Sequence, residues 1–171
     1  MNKTTSCGYF FALALLAVSF VFPLSAGASH SKADKVLVVK SSRIMLLLKD
    51  GGILKAYKVS LGKQPKGHKV KAGDQRTPEG SYLLDSRNPQ SKFHKAIHIS
   101  YPNKSDIAAA QNLGVPPGNG IMIHGLPNKL GELGRLHRRW DWTDGCIAVT
   151  NEEMDEIWEL ISDGTPIEIK P

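Results

Sequence analysis

Cysteine is scarce: there are two in 171 residues, Cys7 and Cys146. Cys7 falls in a stretch that reads as an export signal. Lys3 is its one charge, Tyr9 to Leu24 is an apolar run, and Ala26-Gly27-Ala28 is a small-x-small cleavage site. Residues 1–28 are therefore expected to be removed, leaving a chain that starts near Ser29. Cys146 would then be alone in an oxidising compartment. That excludes an internal disulfide and leaves a free thiol to be explained. Long apolar runs are also lacking. Tyr9 to Leu24 contains Pro23 and falls short of the roughly 20 residues that cross a bilayer, so no integral span is expected once the signal is gone. Acidic side chains are in the minority, 16 against 22 Lys and Arg, for a formal charge of +6. A basic exported chain favours anionic surfaces. The aromatic-basic interleaving of nucleic-acid modules is missing, so no nucleic-acid partner is expected. Repeats, low-complexity segments and a second domain are missing too. Residues 29–171 are enough for one hydrophobic core.

What is present is mostly a strand pattern. Val36-Leu37-Val38-Val39, Ile44 to Leu48 and Ile53 to Ser60 read as a meander, with Asp50-Gly51-Gly52 as a hairpin turn. Lys63 to Lys71 reads as an exposed loop whose Lys63, Lys66, Lys69 and Lys71 could meet anionic groups. Thr77-Pro78-Glu79-Gly80 fits a tight turn before a strand over Ser81 to Asp85. A second strand, Ala96 to Ser100, carries His98. Ser105 is expected to cap a short helix that Gly114 ends. Ile121-Met122-Ile123 is a short buried strand closed by His124-Gly125. In the following loop, Leu126, Leu130, Leu133 and Leu136 recur at near-helical spacing, and Lys129, Arg135, Arg138 and Arg139 make it basic. Thr150 and Glu153 form a capping box for a helix with one apolar stripe, Met154, Ile157, Trp158 and Ile161. Pro166 to Lys170 is a closing strand. The pattern alone gives a mostly β fold with one or two helices.

The run Trp142-Thr143-Asp144-Gly145-Cys146-Ile147-Ala148-Val149 is where chemistry concentrates. Gly145 lets the backbone turn directly before the thiol, and a strand follows. A nucleophilic cysteine needs a base within reach, and His124 ends the strand upstream. A neighbouring imidazole can raise the reactive thiolate fraction. A buried structural cysteine beside a satisfied histidine is the competing reading. Cys146, Asp144, His124 and His137 are also zinc-ligand types, but their spacing matches no compact ligand motif. No metal or cofactor is expected.

His124-Gly125, a basic loop and Thr143-Asp144-Gly145-Cys146 together resemble the L,D-transpeptidase (YkuD-type) catalytic domain. That family carries His-Gly, a loop, then Ser/Thr-His/Asp-Gly-Cys. Gly73 to Gly80 is similar to its upstream Thr-Pro-x-Gly turn, and Asp163 to Ile169 to its last strand. The resemblance runs from about Lys35 to Pro171. It implies an L,D-transpeptidase-like β-sandwich with a C-terminal helix and a short helix in the capping loop. It implies an exported catalytic domain over residues 29–171, in the periplasm or cell wall of a bacterium. The implied partners are peptidoglycan stem peptides, with a wall-attached lipoprotein as another donor. Cys146 would attack the carbonyl between an L-centre residue and a terminal D-amino acid. His124 would move the proton, Gly125 would orient the imidazole, and amides around Asp144, Gly145 and Cys146 would hold the oxyanion. Arg138 and Arg139 would contact substrate carboxylates; Trp142 and Thr143, with Trp140, would wall the cleft. An amine acceptor gives transpeptidation. Water would give carboxypeptidase, endopeptidase or amidase hydrolysis, and a wall-binding module is the non-enzyme alternative. Two positions depart from the family. Ala148 stands where many members carry Arg, and Asp144 where many carry His.

Overall fold

The computed structural model describes Met1 and residues 31–171. The expected export signal, Cys7 included, lies outside the described residues beyond Met1. Eight strands form one ladder in the order β3-β2-β1-β8-β4-β5-β6-β7. They are β1 Lys35–Val39, β2 Ile44–Lys49, β3 Gly52–Lys58, β4 Gly80–Ser91, β5 His94–Ile99, β6 Met122–His124, β7 Ile147–Ala148 and β8 Thr165–Lys170. The meander β1-β2-β3 forms as its alternation dictates, with Val36, Val38, Met45, Leu47 and Tyr57 turned into the core. The last strand inserts between β1, which it meets in parallel, and β4. The two edges then come together. Ser60, just past β3, exchanges amide-carbonyl bonds of 3.0 and 2.9 Å with Ala148 of β7. The sandwich expected from the sequence is thus a single sheet curled on itself, and its seam runs beside Cys146.

Helix α2, Asn151–Leu160, follows β7 directly. Its capping box is made as the sequence predicts: Glu153 N–H donates to Thr150 Oγ1, and Thr150 N–H donates to the Glu153 carboxylate. Met154, Ile157 and Leu160 are buried in the core. The helix lies against β5 rather than squarely behind the cysteine strand. Its flanks reach Tyr57 through Glu156 (2.9 Å) and His94 through Asp155 (2.7 Å). No described helix is long and apolar enough to cross a membrane.

Two elements differ from expectation. The strand expected to stop at Asp85 runs to Ser91 and hairpins into β5. Its outer face is polar, and Pro89 sits where the register slips between Asn88 and Ser91, a place where a missing N–H costs little. Helix α1, Lys104–Asn112, is capped by Asn103 and not by Ser105. Asn103 and Asp106 complete a reciprocal box (3.0 and 2.9 Å), which a cap at Ser105 would lack.

Candidate active site

Strands β6 and β7 lie in parallel, Ile123 opposite Ile147 and His124 opposite Ala148. Side chains alternate along a strand, so His124 and Ala148 share one face. Cys146, two residues before Ala148, falls on that face one step along. The pairing therefore brings the imidazole and the thiol to neighbouring positions.

His124 is buried, and its Nδ1 lies 2.7 Å from the Gly125 carbonyl. A carbonyl can only accept, so Nδ1 carries the proton and Nε2 keeps its lone pair. Gly125 must be glycine. A Cβ there would sit 2.7 Å from Asn151 Oδ1 and 3.2 Å from the Phe93 carbonyl. Phe93 packs on the imidazole at 4.5 Å and Trp142 meets it edge-on at 5.8 Å. Burial pushes the His124 pKa below its ordinary 6.5, so the ring is neutral at neutral pH.

Cys146 is half-buried, with Sγ 3.6 Å from the Gly120 carbonyl. Burial raises its pKa above the ordinary 9.0. The Met122 amide and Lys69 pull it down and Asp144 pushes it up, without reversing the net direction. Both shifts favour the neutral forms, imidazole and thiol.

The turn that presents Cys146 is tied on several sides. Thr143 Oγ1 donates to the Cys146 carbonyl (2.8 Å) and accepts from Gly145 N–H (3.1 Å). Thr143 also bonds through its backbone to Leu61 and Lys63, at 3.1 and 3.0 Å. The Asp141 carboxylate accepts from Leu61 N–H (2.9 Å) and from the Arg43 guanidinium (2.7 Å). Gly145 has φ 130, and a Cβ on it would lie 2.6 Å from the Arg76 carbonyl. The turn upstream of β4 is thus wedged against the nucleophile, and Gly62 N–H bonds Thr77 Oγ1 within it (3.1 Å).

Cavities flank the pair on two sides. One, of about 150 Å³, is apolar and lies under the capping loop between Leu126, Leu130, Leu133, His137, Trp140 and Trp142. The other, of about 490 Å³, is polar. Cys146, Asp144, Lys69, Gln75 and Asn119 are among its lining residues.

These placements revise several expected roles. Thr143 is buried, and its hydroxyl bonds the turn itself. The Gly145 amide is consumed by Thr143 and is not free to hold an oxyanion. Arg138 pairs with Glu153 at the start of α2, away from the polar cleft. Arg139 is exposed. Trp142 meets the imidazole edge-on, while Trp140 is 53% exposed at the rim of the apolar cavity. Asp144 is exposed and accepts from Lys63 Nζ (3.0 Å) and Gln75 Nε2 (3.4 Å). His98 bonds Asp85 at 2.7 Å. The short helix expected in the capping loop is a 3-10 segment, Gly131–Arg139, broken at Gly134 (φ 45). Among the described residues no three His, Cys, Asp or Glu side chains converge as metal ligands. His137 instead turns to Ser60 Oγ (3.1 Å), and Trp142 Nε1 donates to it (3.4 Å). Burial and the Arg138 charge push its pKa down to about 4.

Residues to which the sequence reading assigned no place at the site are Phe93, Ser60, Arg76 and Thr77. Phe93 lies in the hairpin that the polar face of β4 concealed. The others act through backbone or hydroxyl contacts between segments far apart in sequence.

The L,D-transpeptidase catalytic domain family, YkuD, matches residues 33–169. The chain belongs to this family. A similar L,D-transpeptidase-family relative is YafK of Escherichia coli (strain K12), 30% identical over 112 residues, which is 64% of this chain and 38% of that protein. Among solved structures, the helical cell shape determining protein Pgp2 from Campylobacter jejuni is 27% identical with a TM-score of 0.59, over 80% of this chain and 48% of its own. Bd1075 of Bdellovibrio bacteriovorus is 25% identical with a TM-score of 0.55, over 84% and 49%. L,D-transpeptidase 1 of Mycobacterium tuberculosis, at 15% identity and a TM-score of 0.50, shares the fold, over 80% and 60%. The chain thus spans less than two thirds of each of these proteins. Mostly β architecture, the curled sheet and the C-terminal helix are those of L,D-transpeptidase folds.

Proposed function

We propose that this protein is a peptidoglycan L,D-transpeptidase that works through a thioester on Cys146. The observation that carries the reading is the Nδ1 bond of His124 to the Gly125 carbonyl. It leaves Nε2 as a base on the face that Cys146 shares. In the proposed reaction, Sγ attacks the carbonyl between an L-centre residue and a terminal D-amino acid while Nε2 takes the thiol proton. The C–N bond then breaks, His124 returns the proton to the departing amine, and the acyl group remains on sulfur. An amine from a second stem attacks the thioester, His124 takes its proton, and the thiol is restored. The oxyanion falls to amides of the turn other than that of Gly145, with the Cys146 amide the first candidate. Asp144 and burial both disfavour thiolate, so the thiol is activated as it attacks and not beforehand. The chain's similarity to Pgp2, named for cell shape, supports a wall-directed, exported role.

The test is to incubate purified protein with a disaccharide-tetrapeptide, with and without an amine acceptor. The expected products are the free terminal D-amino acid and, with the acceptor, a new amide; Cys146→Ala should make neither. Tripeptide without any new amide would assign water as acceptor and make the enzyme a hydrolase. Wild-type product levels from Cys146→Ala would sink the thioester reading.

A further inference from the structure

We propose that the polar cleft beside Cys146 holds a carboxylate-binding subsite centred on Lys69 Nζ, which reads the free carboxylate of the acyl donor's terminal residue. This rests on the acyl-transfer reading above and narrows its donor.

Four lysines populate the 63–71 loop, and they are not equivalent. Lys66 and Lys71 are exposed and Lys63 is bonded to Asp144. Lys69 is 3% exposed, yet its side chain lines the cleft that holds Cys146. It is the one cationic side chain among the described residues that line this cleft. An ammonium has three donors. Two are used inside the protein, on Asp74 Oδ1 (2.8 Å) and the Lys71 carbonyl (3.0 Å). A ligand in the cleft would take the third, and the Tyr101 ring stands 5.9 Å from Nζ.

Asp74 is the ion-pair partner of Lys69, yet Lys69 still acts on the nucleophile, pulling the Cys146 pKa down against the larger effect of burial. The Asp74 carboxylate also accepts from the amides of Val70 (2.8 Å), Lys71 (3.1 Å) and Arg76 (3.2 Å). Its negative charge is therefore shared among several donors. Asp144, the acid that lines the cleft, is held by Lys63 and Gln75. Burying an ion pair costs desolvation and returns little stability. Its position beside the nucleophile gives it a use.

Two further facts choose the ligand. Ala148 is fully buried and uncharged, and Arg138 is committed to Glu153, so neither supplies a cation to this cleft. The terminal carboxylate of a donor lies three covalent bonds from the carbon that Cys146 attacks, roughly 4 Å away. A group that reads it must therefore stand in the same cavity as the sulfur, as Lys69 does. Asn119 and Gln75 add neutral donors to the walls.

The experiment compares two ligands that differ only at that end: a disaccharide-tetrapeptide with a free terminal carboxylate, and its C-terminal primary amide. Binding to the Cys146→Ala protein is measured by calorimetry, which needs no turnover. The acid is expected to bind at least tenfold tighter, the scale of a hydrogen bond to a charged group. Lys69→Met should erase the preference, and so should Lys69→Met with Asp74→Asn, which leaves no unpaired charge behind. Equal affinities in the protein that keeps Lys69 would overturn the proposal, as would a preference that survives in either folded Lys69 variant, or no binding of either ligand. Should neither variant fold, the acid–amide comparison with Lys69 in place still decides. Turnover separates this inference from the one it rests on. Equal acylation by acid and amide would defeat the subsite and leave acyl transfer standing; acylation by neither would defeat acyl transfer itself.

Discussion

The turn Thr143 to Cys146 and the loop 126–142 flank the same histidine, and they are built in different ways. The turn is fixed by Thr143, by the strand continuation at Leu61 to Lys63, and by the Arg76 carbonyl pressed against Gly145. The capping loop is tied mainly at its ends and at His137, through Asn128 to Ser91, Arg138 to Glu153, and His137 to Ser60. Between them it leaves Leu130, Leu136 and Trp140 about half exposed. Attack on a carbonyl demands a nucleophile held to a fraction of an ångström. A wall that only shapes access to the site has no such demand. The contrast separates what positions the chemistry from what shapes access to it.

Two glycines break the comparison open most sharply. Gly145→Ala would force a Cβ to 2.6 Å from the Arg76 carbonyl at φ 130. We expect a loss of about 2–3 kcal/mol in stability and at least 100-fold slower acylation, read by thermal unfolding and by initial rates. Gly134→Ala, also at positive φ (φ 45, ψ -129) but with open space around it, should cost about 1–3 kcal/mol through its backbone alone and leave acylation within a few-fold. Equal losses of acylation at both sites would erase the distinction drawn between turn and cap. Thr143→Val should come next. It removes bonds to the Cys146 carbonyl and the Gly145 amide, for about 1–3 kcal/mol and roughly tenfold slower acylation with substrate affinity little changed.

The pH behaviour sharpens the same picture. The Cys146 pKa is raised above 9.0, so its alkylation by iodoacetamide should climb through pH 9 with no plateau near neutrality. The His124 pKa is lowered below 6.5, so acyl transfer should hold its rate as pH falls through 6.5 and drop only at more acid values, where the base is protonated. Alkylation that stays flat down to pH 6 would instead indicate a resting thiolate–imidazolium pair. The smallest effect is expected in the cap: Leu136→Ser should change stability by less than about 0.5 kcal/mol.

Much of this was legible in the sequence because the signals are local. The meander, the Thr150–Glu153 capping box and the ending of β6 at His124-Gly125 each lie within a few residues. What was hidden depends on contacts between distant segments. The seam Ser60–Ala148 closes the sheet and has no local signature. Thr143 was expected at the substrate, yet its hydroxyl is spent on its own turn. Arg138 sits in a basic run that suggested carboxylate binding, but its partner is a helix-capping glutamate. Lys69 looked like one of four solvated lysines, and only the fold distinguishes it. Asp144 stands where many family members carry His, and its charge adds to burial in pushing the Cys146 pKa upward.

The most direct measurement is the intact mass of the protein after brief exposure to a disaccharide-tetrapeptide. The account predicts a single acyl adduct on Cys146 in the wild type. It predicts a trace or none in His124→Gln, whose side chain cannot take up the thiol proton, and none in Cys146→Ala. An adduct of undiminished yield and rate in His124→Gln would contradict the assignment of His124 as the base, and one that persists in Cys146→Ala would contradict the thioester altogether.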